Sequence, residues 1–208
     1  MSVICPTITA NSEQYESYIL DYSKFAKRLH VDLSDGKFTL NETIGIDEVY
    51  WPWNIPVDLH LMYEKPGDFI EQLIALAPSI VIIHPESEVD VIDFSQKMKK
   101  NNIKTGVALM PDKSAESLQE YSEFIDYILI FSGRLGFYGG VADLKLASKI
   151  VDLKKLYPGK EIAWDGGIND ANIKSLIKSG VDVLNVGGFI AGAEDKQGAY
   201  NKLIEKLS

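Results

Sequence analysis

His30 and Asp32 stand two residues apart in Arg28-Leu-His-Val-Asp-Leu-Ser-Asp-Gly36. Side chains alternate between the faces of a β-strand, so this imidazole and this carboxylate leave the chain on one side. That is half of a metal site. Three more apolar runs end in groups of the same kind: Asp58-Leu-His60, Ile83-His84-Pro-Glu86 and Trp164-Asp165-Gly-Gly167. The chain has 3 histidines, and each closes an apolar run, which scattered surface histidines would not do. His30, Asp32, His60 and Asp165 together offer two imidazoles and two carboxylates. Mixed nitrogen and oxygen ligation suits one divalent ion, Zn, Fe(II), Mn or Co, without choosing among them. Each residue alone has a plainer reading: a strand-end Asp caps helices and forms turns, and a lone His near a core is usually hydrogen-bonded structure. The combination on one face points to chemistry.

Two carboxylates on opposite sides of a metal-bound carbonyl compound define a reaction. One of Asp32 and Asp165 removes the proton alpha to the carbonyl while the metal holds the enediolate oxygens, and the other returns a proton to the opposite face. The outcome is epimerisation. It needs no redox cofactor, and the sequence contains no dinucleotide fingerprint. Two glycine turns, Gly139-Gly140 and Gly187-Gly188, can bring backbone N–H groups to a phosphate, or can simply be tight turns. Arg134, in the loop before the first of them, is either a phosphate clamp or a solvated loop charge.

These residues need a frame that brings strand ends together. Strand-like and helix-like runs alternate along the chain. Strands are expected at 3–8, 29–33, 57–62, 80–84, 105–109, 127–131, 162–165 and 183–186. Helices are expected at 13–26, 66–76, 89–100, 115–124, 144–156 and 171–179, with a last one running through Leu207. A helical turn near 46–50 precedes Trp51-Pro-Trp53, whose aromatics are expected over the barrel mouth or in an oligomer contact. Eight strand–helix units imply a parallel sheet closed into a single-domain (β/α)₈ TIM barrel over residues 1–208, with an open doubly wound sheet as the alternative. Active sites of such barrels lie at the C-terminal strand ends, where the polar groups above sit. Trp164 precedes Asp165 and so faces the helix layer.

The bulk numbers agree. With 208 residues, 46% hydrophobic, the chain can bury one sizeable core. Its net charge of −9 and lack of a basic stripe argue against nucleic acid and anionic membrane partners. One cysteine, Cys5, allows no intrachain disulfide and fits a cytoplasmic protein. No signal peptide and no spanning run of apolar residues is expected.

The chain resembles the ribulose-phosphate 3-epimerases. The resemblance runs from Pro6-Thr-Ile8 to Gly187-Gly188. It rests on His30-Val-Asp32-Leu-Ser-Asp35-Gly36, Asp58-Leu-His60-Leu-Met62, His84-Pro-Glu86, Gly106-Val-Ala-Leu109, Phe137-Tyr-Gly139-Gly140, Asp165-Gly-Gly167-Ile and Val186-Gly187-Gly188. It implies that His30, Asp32, His60 and Asp165 bind a divalent metal and that the two aspartates are the acid/base pair. It also implies substrate contacts at Thr7, His60, Gly139, Gly140, Gly166, Gly167, Gly187 and Gly188, and a homo-oligomer. The expected substrate is a small phosphorylated ketose, with D-ribulose 5-phosphate to D-xylulose 5-phosphate as the first choice. A ketohexose 6-phosphate such as D-allulose 6-phosphate, or a phosphosugar-binding barrel without turnover, is the alternative.

Against the family pattern, Thr7 stands for serine, Ser34 for methionine, Met110-Pro111 for Asn-Pro and Gly188 for serine. The loop Arg134-Leu-Gly-Phe-Tyr-Gly-Gly140 is one residue longer than the family's. The metal and proton positions are intact; the substrate-facing wall is altered. Related barrels that decarboxylate carry an Asp-x-Lys-x-x-Asp motif after strand three. Here that place reads Asp58-Leu-His60-Leu-Met-Tyr63, with a metal-ligating imidazole instead of the lysine.

Overall fold

The computed structural model describes residues 2–207. Its strands are β1 (Val3–Ile8), β2 (Leu29–Ser34), β3 (Val57–Met62), β4 (Ile80–Ile83), β5 (Lys104–Leu109), β6 (Tyr127–Phe131), β7 (Glu161–Asp165) and β8 (Val183–Val186). Each pairs in parallel with its neighbour in the chain, and β8 closes on β1. The sheet is therefore a closed (β/α)₈ barrel, and the β1–β8 pairing excludes the open sheet.

The period-two alternation of the strands separates two apolar layers. Cys5, Ile82, Tyr127, Leu129, Ala163 and Val183 belong to the cluster inside the barrel. Val31, Leu59, Val81 and Trp164 point outward and pack with Leu73, Phe94, Leu153 and Leu176 of the helices. Trp164 is fully buried there, as its place before Asp165 predicts.

Helices α1 (Ser12–Tyr22), α2 (Ile70–Leu76), α3 (Val91–Lys100), α4 (Ser148–Leu156), α5 (Ile173–Ser179), α6 (Gly188–Ala191) and α7 (Lys196–Ile204) cover the outside. Side-chain caps start several of them: Asn11 Oδ1 accepts the Gln14 N–H at 3.1 Å, and Asp90 Oδ1 accepts those of Ile92 and Asp93 at 3.0 Å. The helix expected to reach residue 26 stops at Tyr22. There the N–H groups of Lys24 and Phe25 turn to carbonyls three residues back, and Ser23 Oγ takes the Ile19 carbonyl at 2.5 Å. The 115–124 helix is a 3₁₀ helix over Ala115–Tyr121. The turn near 46–50 is a single one, in which Glu48 and Val49 both donate to Gly45 O. The short α6 was not apparent from periodicity; it opens on Gly188, directly after β8.

One expectation is corrected. Trp51 and Trp53 do not cover the barrel mouth. They lie in a groove with Pro56, Val57 and Ser79, at the N-terminal ends of β3 and β4. The short link from Trp53 to β3 leaves them at the end where that strand begins. Trp53 is 96% exposed.

Strand register brings the chemistry-bearing residues together. Asp32 sits beside His60 across β2–β3, Thr7 beside His30 across β1–β2, and Asp165 beside Asn185 across β7–β8.

Candidate active site

His30 and Asp32 project into the barrel from β2, His60 from β3 and Asp165 from the last position of β7. All four are buried, and one ligand atom from each lies within 4.8 Å of the others. His60 Nδ1 is 2.9 Å from Asp32 Oδ1. His30 Nε2 is 3.3 Å from the same oxygen and 3.8 Å from Asp165 Oδ2, yet it makes no hydrogen bond. A buried, unpartnered imidazole nitrogen facing two carboxylates fits a cation placed among them. The donor set, two nitrogens and two carboxylate oxygens, suits a divalent transition metal.

The surrounding residues orient these side chains. Asn185, on β8, holds His30 Nδ1 at 3.1 Å through its amide nitrogen, and its Oδ1 is unpartnered. Turning that amide over lets Oδ1 accept the Nδ1–H and leaves His30 Nε2 with a free lone pair. His84 does not join the four. It stands behind His60, with its Nε2 2.8 Å from His60 Nε2. Burial first, and then the charge of His60, push the His84 pKa well down, so its ring is neutral and can exchange donor and acceptor roles with His60. Asp58, two residues before His60 on the same face, reaches the opposite end of the barrel and pairs with Arg28.

The two aspartates differ electrostatically. Burial raises the pKa of Asp165 and the negative charge of Asp32 raises it further. Burial acts on Asp32 in the same direction. There, the pull of the adjacent His30 and His60 imidazoles outweighs it, and Asp32 is held well below the usual carboxylate range. The two carboxylates are thus pushed in opposite directions by their surroundings.

Above this cluster opens a cavity of ≈ 240 Å³. Of the residues expected to meet substrate, Thr7, Gly139, Gly140, Gly166, Gly167, Gly187 and Gly188 line it, together with Asp32 and Asp165. His30 and His60 lie beneath its floor, fully buried. Gly166 and Gly167 have φ of 112° and 69°, and a Cβ on either would strike the backbone of Ser132–Gly133 or Val141–Ala142. Their glycines are needed to pack the β7 turn against the β6 loop, whatever else they touch. A Cβ on Gly188 would come within 3.2 Å of Gly139 N. The two glycine turns thus face each other backbone to backbone across the cavity wall. A side chain at 188 would therefore need the facing turn to give by a few tenths of an ångström.

Ser34 does not face the cavity; its hydroxyl donates to Asn41 O at 2.6 Å. Arg134 is exposed at the cavity rim, with its guanidinium 4.2 Å from the Phe137 ring centre. Thr9, Met62, Tyr138 and Asn185 lie around the site without a functional reading from the sequence. Only Asn185 carried a signal, as the single polar residue on the inward face of the Val-Leu-Asn-Val run.

Comparison with known proteins agrees with this geometry. The model of the ribulose-phosphate 3 epimerase family matches residues 3–191. The chain is 35% identical over 182 residues to a ribulose-phosphate 3-epimerase of Helicobacter pylori, covering 84% of each chain. It is 29% identical to that of Aquifex aeolicus, covering 98% of this chain and 96% of the relative. Among solved structures, a 3-hexulose-6-phosphate synthase superposes with a TM-score of 0.77 at 15% identity, over 99% of this chain and 100% of that one. That likeness is one of fold.

Proposed function

Since the chain belongs to the ribulose-phosphate 3-epimerase family and is an isomerase of carbohydrate phosphates, we propose that it inverts C3 of D-ribulose 5-phosphate to give D-xylulose 5-phosphate. The observation that carries the reading is the convergence of His30, Asp32, His60 and Asp165 under a cavity walled by glycine turns.

His30 and His60, through ring nitrogens, and Asp32 and Asp165, through carboxylate oxygens, would hold one divalent ion. When bound, the ion polarises the substrate carbonyl and offsets the charge that builds on oxygen as the C3 proton leaves. Everything else belongs to the chain. Asp32 and Asp165 rise from strands on different sides of the barrel floor. One takes the C3 proton from one face of the sugar as base, and the other, protonated, delivers a proton to the opposite face. The roles reverse in the return direction. Asn185 and His84 hold the two imidazoles in the tautomers that ligation requires. The backbone N–H groups around Gly139–Gly140 and Gly187–Gly188 receive the phosphate and fix C3 between the carboxylates. A backbone grip explains how an acidic chain can bind an anion.

The test is proton exchange followed by NMR. Protein loaded with Zn, Mn, Fe(II) or Co is incubated in D₂O with D-ribulose 5-phosphate and, separately, with D-allulose 6-phosphate. Deuterium entering C3 of the pentulose, with xylulose 5-phosphate appearing, is the expected result. Exchange confined to the hexulose would keep the chemistry and reassign the sugar. No exchange on either from metal-loaded protein would overturn the reading.

A further inference from the structure

Asp32 has its two oxygens held differently. Oδ1 faces the imidazoles, while Oδ2 accepts a hydrogen bond from the Thr9 hydroxyl at 2.5 Å. Thr9 is the first residue beyond β1 and is buried. Its backbone is in turn held by Tyr138, in the long loop after β6: the Thr9 N–H donates to Tyr138 Oη at 2.7 Å, and the Tyr138 hydroxyl donates to Thr7 O at 3.2 Å. The phenol is thereby used as both donor and acceptor. It bridges the end of β1. On its other side the ring lies against Gly187, where a Cβ would stand 2.9 Å from Tyr138 Cδ1. Gly139 and Gly140, the anion-facing turn of the β6 loop, follow it directly.

One continuous path of contacts therefore runs from the glycine turn through Tyr138 and Thr9 to the Asp32 carboxylate. We propose that Thr9 and Tyr138 are positioning residues that couple phosphate capture by the β6 loop to the alignment of Asp32 for proton transfer. The proposal rests on the reading of Asp32 as one member of the acid/base pair. Tyr138 immediately precedes the glycine turn, so the path joins the β6 loop to the end of β1. Its physical content is rotational. A carboxylate fixed at one oxygen can still swing about its Cβ–Cγ bond; one fixed at both cannot.

The measurements are kcat, KM and C3 deuterium partitioning for Thr9→Val, Thr9→Ser, Tyr138→Phe and the Thr9→Val/Tyr138→Phe double variant. Unfolding curves establish that each is folded. Thr9→Val is expected to lower kcat roughly tenfold with little change in KM, and Thr9→Ser to restore it. Tyr138→Phe is expected to raise KM for the ketose phosphate roughly tenfold and to lower kcat by a smaller factor. The double variant should lose less than the product of the single losses, because both act through one path. Partitioning is the readout a packing defect would not move. A misaligned Asp32 leaves re-protonation by Asp165 intact, so deuterium should enter one epimer ahead of its conversion and not enter the other.

Multiplicative losses in the double variant, or symmetric partitioning in a slowed Thr9→Val, would overturn the proposal. Asp32→Asn serves as the control. Were it to exchange C3 at the wild-type rate, the role given to Asp32 would fall, and this proposal with it. An inactive Asp32→Asn beside an unaffected Thr9→Val overturns the coupling alone.

Discussion

The barrel encloses two clusters of charge, one at each end of the same three strands. Near the N-terminal ends, Arg28 just before β2 meets Asp58 of β3 and Glu161 of β7. Its Nε donates to Asp58 at 2.8 Å, and its two terminal nitrogens take the Glu161 carboxylate at 2.9 and 3.0 Å. Near the C-terminal ends, the same strands supply His30, Asp32, His60 and Asp165. Both clusters unite two carboxylates with nitrogen bases, but they differ in what supplies the cation. A guanidinium carries a permanent charge in a fork matched to carboxylates, so the lower cluster holds its own cation. An imidazole carries no permanent charge of that kind. The upper cluster keeps a buried imidazole nitrogen that faces two carboxylates, Asp32 and Asp165, with no permanent cation between them. One end of the barrel is a plug and the other a site, made by the same alternation of the same strands.

The sharpest way to break this comparison is to neutralise one carboxylate at each end. Asp165→Asn should lower turnover by about 10³-fold or more with the fold retained, since it removes one of two proton-transfer groups. Asp58→Asn, equally buried, should leave turnover within a few-fold of wild type, as measured by initial rates on ribulose 5-phosphate. Comparable losses in both would erase the distinction between plug and site.

Removing Arg28 is predicted to act on the other property. Arg28→Met leaves Asp58 and Glu161 without their cation and should cost about 3–5 kcal/mol of unfolding free energy, read from urea denaturation. Turnover per folded molecule should persist. A cost near zero would mean that the lower ion pairs are ornamental.

Divalent metal should stabilise the upper cluster alone. A metal at a hundredfold excess over its dissociation constant adds about 2.7 kcal/mol, seen as a rise in melting temperature that EDTA reverses. The rise should vanish in His30→Gln and in His60→Gln and survive in Arg28→Met. Persistence in both histidine variants would move the ion elsewhere.

The smallest expected effect is one of pH. Burial raises the Asp58 pKa to about 6, more than the Arg28 charge lowers it. A carboxyl with a raised pKa in the folded state keeps its proton after the unfolded chain has lost it. Its contribution to stability is therefore full below the unfolded pKa and is lost as pH rises toward about 6. Asp58→Asn should flatten the fall in stability over that window in urea titrations. An unchanged slope would assign the pH dependence to other groups.

Much of the site could be read from local pattern. His30 and Asp32 share a face because the strand repeat is two, and so do Asp58 and His60; no tertiary knowledge is needed for that. The alternation of eight strand-like runs with helix-like ones likewise indicated a barrel, and apolar runs ending in polar groups indicated its active end. The backbone repeat is a property of each residue and its immediate neighbours, so it is written in the order of the residues.

What the order of residues left open depends on closure. Nothing local separates Asp58 from His60 in function, yet two residues of strand rise carry one to the plug and the other to the site. Asn185 reaches His30 across 155 positions of sequence, and Tyr138 reaches Thr9 across 129. These partnerships arise when β8 pairs with β1 and when the β6 loop folds over the mouth. Trp53, aromatic and prominent in the sequence, went to the far end because the length of its link to β3 decided its place. Periodicity determined which side chains point inward; the register of the closed sheet alone decided which of them meet.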